Sequence, residues 1–240
     1  MGDVILSDTS LCAIVRDEKM NPAGGIEKFV ESHVPYVEQA VIADTGSVDG
    51  TREILEEMQA KYFNLKVVDI PFNGYADARN QSLKYVETKR ALILDADELL
   101  THQKPQNDWK ILKDFIQHNR SKAYRFFFDN VYPNWTERGT IKGHTLRLFD
   151  VSISENPFER VCWETFKLPS NEEIIFINGL SIKHFLPKGE SIKIKNHEWY
   201  KENYLTSDKD LIQNWQVIPP SMREGFADWK KYNPQREDFI

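Results

Sequence analysis

The 240-residue chain is 40% hydrophobic and 28% charged, the balance of an ordinary folded protein, which excludes disorder, collagen-like and coiled-coil classes. With 31 basic against 37 acidic side chains and a net charge of -6, it lacks the positive field of a general nucleic-acid binder, so nucleic acid is not expected as a partner and phosphate must be met locally. The two cysteines, Cys12 and Cys162, predict no disulfide, and Cys12 in the apolar run Leu11–Val15 reads as a free buried thiol. Met1 to Ser10 carries Asp3 and Asp8 and no long apolar run. Neither a signal peptide nor a transmembrane helix is expected, and the reading is a cytoplasmic protein whose membrane contact is at most peripheral, at the cytoplasmic face.

Taken in chain order, the first hundred residues alternate short apolar runs with amphipathic stretches, the pattern of βα units feeding a mainly parallel sheet. Strands are predicted at Leu11–Val15, Gln39–Ala43, Leu65–Ile70 and Ala91–Leu94, rich in Val, Ile and Leu and without the alternation of a half-exposed strand. Helical faces lie between them at Ile26, Phe29 and Val30, at Ile54, Leu55, Met58 and Tyr62, and at Tyr75, Ala78, Leu83 and Val86. A polar stretch around Thr101–Lys110 then leads into a helix near Trp109–His118. Beyond it, strands of mixed direction are expected at Ala123–Val131, His144–Phe149, Val161–Phe166, Ile174–Ile177 and Leu180–Phe185, broken by turns at Pro133-Asn134, Arg138-Gly139 and Asn178-Gly179. A charged helix from Glu190 to about Asn214 and a Pro-punctuated tail complete the chain. The expected organisation is a single α/β domain, residues 10–100 binding a ligand at the strand ends, residues 101–189 covering it, and residues 190–240 forming a helix and tail.

Carboxylates collect where strands end. The second strand runs into Asp44-Thr45-Gly46-Ser47-Val48-Asp49-Gly50-Thr51 and the fourth into Asp95-Ala96-Asp97-Glu98. Ligands of open parallel sheets sit beyond the carboxyl ends of the strands, so both segments point to one crevice. Carboxylates spaced two apart can meet a hard divalent cation that also binds substrate phosphates. Each segment has a plainer reading: Asp97 can cap a short helix, Asp49 or Thr51 the helix that follows them, and Gly46 marks a turn.

In order along the chain, Ser10–Glu18, Ile42–Thr51, Ala76-Asp77-Ala78-Arg79-Asn80 and Leu92–Glu98 resemble family-2 glycosyltransferases of the GT-A fold, with fainter likeness through His144–Phe149, Val161–Phe166 and Ile182–Pro187. The resemblance implies a nucleotide-sugar donor, a divalent cation, a glycan, lipid-linked or protein acceptor, and inverting transfer. By position it implies that Asp44 meets the base, that backbone near Ala13 and Val15 lines the nucleoside pocket, that Asp95 faces ribose or metal, and that Asp97 binds the cation. Arg79 and Asn80 fall in a segment near the nucleotide, where a guanidinium can offer a charge-assisted fork to an acidic donor or lie on a solvated helix face. Asp17 departs from the commoner Asn of that family, while Glu18 agrees.

An inverting transfer needs a base for the acceptor proton. Arg147-Leu148-Phe149 matches a family strand, and Val161-Cys162-Trp163-Glu164 stands where a His-Glu pair is common. Glu164 is therefore the leading base, with Glu159, Glu155 and Asp150 as rivals. His184 falls where related enzymes carry a histidine near the site, implying a second cation ligand and a preference for Mn²⁺ over Mg²⁺, since nitrogen is the softer donor. Two other readings stay open. A sugar nucleotidyltransferase needs a glycine-rich phosphate loop, which Arg16-Asp17-Glu18-Lys19-Met20 lacks, and a degenerate nucleotide-sugar binder is kept open by Trp163 in place of His.

Overall fold

The computed structural model describes residues 4–21, 23–100, 105–131, 144–159 and 164–185. Four strands, β1 (Leu6–Val15), β2 (Val37–Asp44), β3 (Leu65–Asp69) and β4 (Arg90–Ile93), alternate with helices α1 (Gly25–His33), α2 (Thr51–Lys61) and α3 (Tyr75–Leu83). The second half adds β5 (Glu98–Leu99), α4 (Pro105–His118), β6 (Ala123–Val131), β7 (His144–Asp150), β8 (Phe158–Glu159), β9 (Thr165–Phe166) and β10 (Ile174–Phe185). One eight-stranded sheet runs β3-β2-β1-β4-β7-β6-β10-β5, with β8 and β9 pairing separately. The neighbours among β1 to β4 are parallel, β7 is antiparallel to β4 and β6, β6 and β10 are parallel, and β5 closes the edge antiparallel to β10.

The layers follow from the apolar pattern. On one face, Ile26, Phe29 and Val30 of α1, Leu55 and Met58 of α2 and Trp109, Leu112 and Ile116 of α4 bury against Leu11, Ala40, Ile42, Leu92, Tyr124, Phe126 and Leu148. On the other, Ala76 of α3 and Phe158 of β8 cover Cys12, Val41, Ala91, Ile93 and Phe149. A parallel sheet covered on both faces is why the first four strands lack alternation.

The strand boundaries differ from the sequence reading where polar residues are satisfied inside the sheet. β1 begins before Leu11 because Ser10, fully buried, places its hydroxyl against Gln39 at 2.6 Å and Thr88 at 2.8 Å. The turn expected at Asn178-Gly179 is absent. Gly179 takes φ 86° inside a continuous β10, whose register against β6 shifts between Phe176 and Ser181. The glycine signals an irregularity in one strand and not a connection between two. Of the expected strand over 161–166, Thr165–Phe166 is observed as β9, and residues 161–163 lie outside the described residues. So do Cys162, the turns at 133–134 and 138–139, and the helix and tail expected beyond Glu190.

Cys12 is a buried free thiol 3.1 Å from the Ser82 hydroxyl, and burial pushes it up to about 11. Among the described residues, no helix is long and apolar enough to cross a membrane.

Candidate functional site

The parallel strands create the site by parting. β1 stays in register with β2 as far as Val15 opposite Asp44, but its pairing with β4 ends at Cys12 opposite Ile93. Ala13, Ile14 and Val15 therefore run along one side of an opening at the carboxyl end of the sheet, where strand order reverses. Ala13 is itself buried, and the Val15 carbonyl accepts from the Thr45 amide and hydroxyl, each at 3.0 Å.

Asp44 ends β2 at the same carboxyl edge of the sheet, opposite Val15. Its Oδ1 accepts from the amides of Gly46 and Ser47, both at 2.8 Å, in a turn that Gly46 permits at φ 102°. Its Oδ2 is buried without a hydrogen-bond donor among the described residues, an arrangement that costs free energy unless another group supplies one. After β1, Asp17 is left-handed at φ 58° and accepts from the Val48 amide at 2.8 Å. Asn and Asp both tolerate that backbone and both offer an accepting oxygen, so the departure at Asp17 keeps the loop's geometry. The cap of α2 is Gly50. Asp49 accepts from the Thr51 amide at 2.9 Å and hydroxyl at 2.6 Å, and so acts on the helix start from one residue earlier than a cap.

The turn after β4 carries the second acidic group, and it is held from several directions. Glu98, 1% exposed, accepts from the Asp95 amide at 3.0 Å through Oε2 and from Arg147 Nη2 through Oε1. Asp95 accepts from Arg79 Nη2 at 2.5 Å and Arg147 Nη2 at 2.9 Å. Arg79, on α3, turns its Nε to Glu164 Oε1 at 2.6 Å. The fork expected for an acidic donor is thus occupied by protein carboxylates, and Nη1 of Arg79 is buried without a partner among the described residues. Burial disfavours the Asp95 carboxylate, but Arg79 and then Arg147 override that and hold it well below the usual carboxylate range. For Glu98 burial wins over Arg147 and lifts the carboxyl to about 7.

Asp97 meets the other end of the sheet. Its Oδ2 lies 3.7 Å from His184 Nε2, and its carbonyl accepts from the Phe185 amide at 2.9 Å, joining the turn to β10. Burial opposes a charged His184, but Asp97, with Glu98 and Asp95 behind it, raises it to about 9. Among the described residues no group of three or more His, Cys, Asp or Glu side chains stands ready to hold a metal.

The carboxylates named as rivals to Glu164 lie elsewhere. Asp150 accepts from the Ser152 amide at 3.0 Å, and Glu159 pairs with Lys167 at 2.8 Å. Glu155 is exposed. Sequence reasoning missed Arg147 and Glu98 as members of the site; the signal available was a lone arginine in the apolar Leu146–Phe149 run. Asn80, expected near the nucleotide, instead holds Phe158 of β8 in both directions, Nδ2 to its carbonyl at 2.8 Å and Oδ1 from its amide at 3.1 Å.

Against this geometry, residues 23–153 match the family model described as Glycosyl transferase family 2. Among solved structures, residues 1–349 of S. aureus TarS in complex with UDP-GlcNAc superpose with a TM-score of 0.56 at 15% identity, covering 95% of this chain and 82% of that one. The same fragment with UDP gives 0.52 at 14% identity with the same coverage. TarS itself gives 0.52 at 14%, covering 95% of this chain and 50% of that one. At these identities the likeness is one of fold, a mostly parallel sheet flanked by helices. A comparison with curated protein sequences finds no match.

Proposed function

The chain belongs to glycosyl transferase family 2, and from that membership we propose that it transfers a sugar from a nucleoside-diphosphate donor, with inversion and with a divalent cation, to a glycan, lipid-linked or protein acceptor. The observation that carries the reading is Asp44 Oδ2, a buried carboxylate oxygen with no donor among the described residues, at the carboxyl end of β2 opposite Val15. An ionised carboxylate only accepts, so the ligand that completes it brings a hydrogen-bond donor, and the ring N–H of uracil or guanine is one. A UDP-sugar fits, and UDP-GlcNAc is bound by TarS, which shares the fold. The backbone of Ala13 to Val15 then lines the nucleoside pocket.

Asp97 and His184 fit a cation that displaces the proton Asp97 holds on the imidazole. The carboxylate oxygen of Asp97 and the imidazole nitrogen of His184 lie 3.7 Å apart, and such a mixed oxygen and nitrogen pair would favour Mn²⁺ over Mg²⁺. Bound there, the cation would neutralise charge on the departing diphosphate. Asp95, gripped by Arg79 and Arg147, shapes the turn that aims Asp97. Glu164, anchored through Oε1, is the base that takes the acceptor proton.

The test is a panel of nucleotide sugars scored by thermal stabilisation in the presence of Mn²⁺. A ligand at a hundred times its dissociation constant adds about 2.7 kcal/mol. The nucleotide sugar whose base donates to Asp44 is expected to stabilise the protein, UDP-sugars first, and to lose that stabilisation in Asp44→Ala. A panel in which no nucleotide sugar shifts the melting transition overturns the proposal.

A further inference from the structure

We propose that Arg79 is a positioning residue for transfer, fixing the orientation of Glu164 against the turn that carries Asp95 and Asp97. The proposal rests on the reading of Glu164 as the base. Arg79 lies on α3 and is almost fully buried, its side chain 4% exposed. Through Nε and Nη2 it bridges two carboxylates from different parts of the chain, Glu164 at 2.6 Å and Asp95 at 2.5 Å. A buried ion cluster of this kind is a poor stability device, because apolar groups of the same shape commonly serve as well or better. What the bridge supplies is registration. The carboxylate before β9, Glu164, and the turn after β4 are set to one guanidinium, whose rigid fork fixes direction as well as distance.

A second contact makes the arrangement specific to α3. Asn80, the next residue, clasps the backbone of Phe158 in both directions. β8, which contains Phe158, pairs with β9, Phe158 opposite Phe166 and Glu159 opposite Thr165, and Glu164 is the residue before Thr165. Two adjacent residues of one helix therefore hold both the hairpin that carries Glu164 and the carboxylate itself. The guanidinium carbon also sits 5.9 Å from the centre of the Phe158 ring. With Oε1 held, the second oxygen of Glu164 is presented in a fixed direction for the acceptor proton.

The experiment compares kcat, donor KM and nucleotide affinity for wild type, Arg79→Lys, Glu164→Gln and the double variant. Lysine keeps the charge but cannot reach two carboxylates with one planar fork. Arg79→Lys is expected to lower kcat on the order of 10²-fold, the cost of about an ångström of misplacement, and to change donor KM and nucleotide affinity far less, because Arg147 still holds Asp95. In the Glu164→Gln background it is expected to lower kcat no further. Melting curves check that the variants fold, and Arg79→Gln is read the same way should lysine not be accepted. Three results overturn the proposal. Wild-type kcat in Arg79→Lys is one, and an equal loss from that substitution in the Glu164→Gln background is another. The third is weakened nucleotide binding with kcat unchanged, which would make Arg79 a donor contact. Failure of the underlying reading looks different: Glu164→Gln itself would then keep wild-type turnover.

Discussion

The two halves of the sheet bring side chains to the crevice by different routes. In the parallel half, Asp44 and Asp49 stand at and just after the end of β2 and their own turn holds them. Asp44 is fixed by the amides of Gly46 and Ser47, and Asp49 by Thr51, all within three residues. In the mixed half the groups come from within or beside strands and are fixed by residues far away in sequence. Arg147 reaches Asp95 and Glu98 across separations of 52 and 49 residues, and Glu164 meets Arg79 across 85. Turn-held groups depend on local backbone chemistry, whereas strand-held groups depend on the sheet being assembled. Substitutions in the mixed half should therefore disturb more of the site at once.

The largest expected effect lies in that half. Glu164→Gln should lower turnover by roughly 10²–10⁴ with donor binding nearly unchanged, the usual yield of a positioned base. Steady-state kinetics beside Asp150→Asn and Glu159→Gln checks it, and near-wild-type transfer in Glu164→Gln with loss in either of the others would assign the base elsewhere.

Next comes Arg147→Met, which strips a buried partner from Glu98 and Asp95 and should destabilise the fold by about 3–5 kcal/mol. Denaturant unfolding measures it. A loss below about 1 kcal/mol would place this pair among ordinary surface contacts and erase the contrast between the halves.

A third effect links the halves through His33. Its Nε2 accepts from the Leu100 amide at 3.2 Å, which leaves Nδ1–H to donate to the Phe29 carbonyl at 2.7 Å, a neutral ring. Burial depresses it from 6.5 to about 4. Since the folded value is lowered, its contribution is complete above pH 6.5 and is lost as pH falls towards 4, where the unfolded chain gains a proton that the fold resists. The loss is about 3 kcal/mol at most. Urea unfolding from pH 7 to 4 should show a steeper decline in wild type than in His33→Gln; parallel declines would remove His33 from the account.

The smallest effect tests the turn-held half. Asp17→Asn should change stability by less than about 0.5 kcal/mol, the range of substitutions that keep their local bonds, whereas Asp17→Ala loses the Val48 contact. Equal stabilities of the Ala and Asn variants would show that the carboxylate does not shape the loop.

The same contrast explains how much was legible in the sequence. The four parallel strands and the acidic segments after two of them follow from apolar runs and turn residues, because both signals are local. Family likeness adds Glu164 and His184 by position. Invisible were the bridges, since no pattern within a window of neighbours says that Arg79 will meet Glu164 or that Arg147 will meet Glu98. Gly179 misled for a related reason. A glycine after asparagine marks a turn in most contexts, and only pairing of β10 along β6 on both sides of the irregularity keeps the strand continuous.

The central claim is that donor binding uses a divalent cation held by Asp97 at this crevice. Calorimetric titration of UDP into wild type and Asp97→Asn, each in Mn²⁺ and in EDTA, tests it most directly. Mn²⁺ is expected to tighten UDP binding in wild type, and this gain is expected to vanish in Asp97→Asn while the variant stays folded. Equal UDP affinity of the wild-type protein in Mn²⁺ and in EDTA would contradict it.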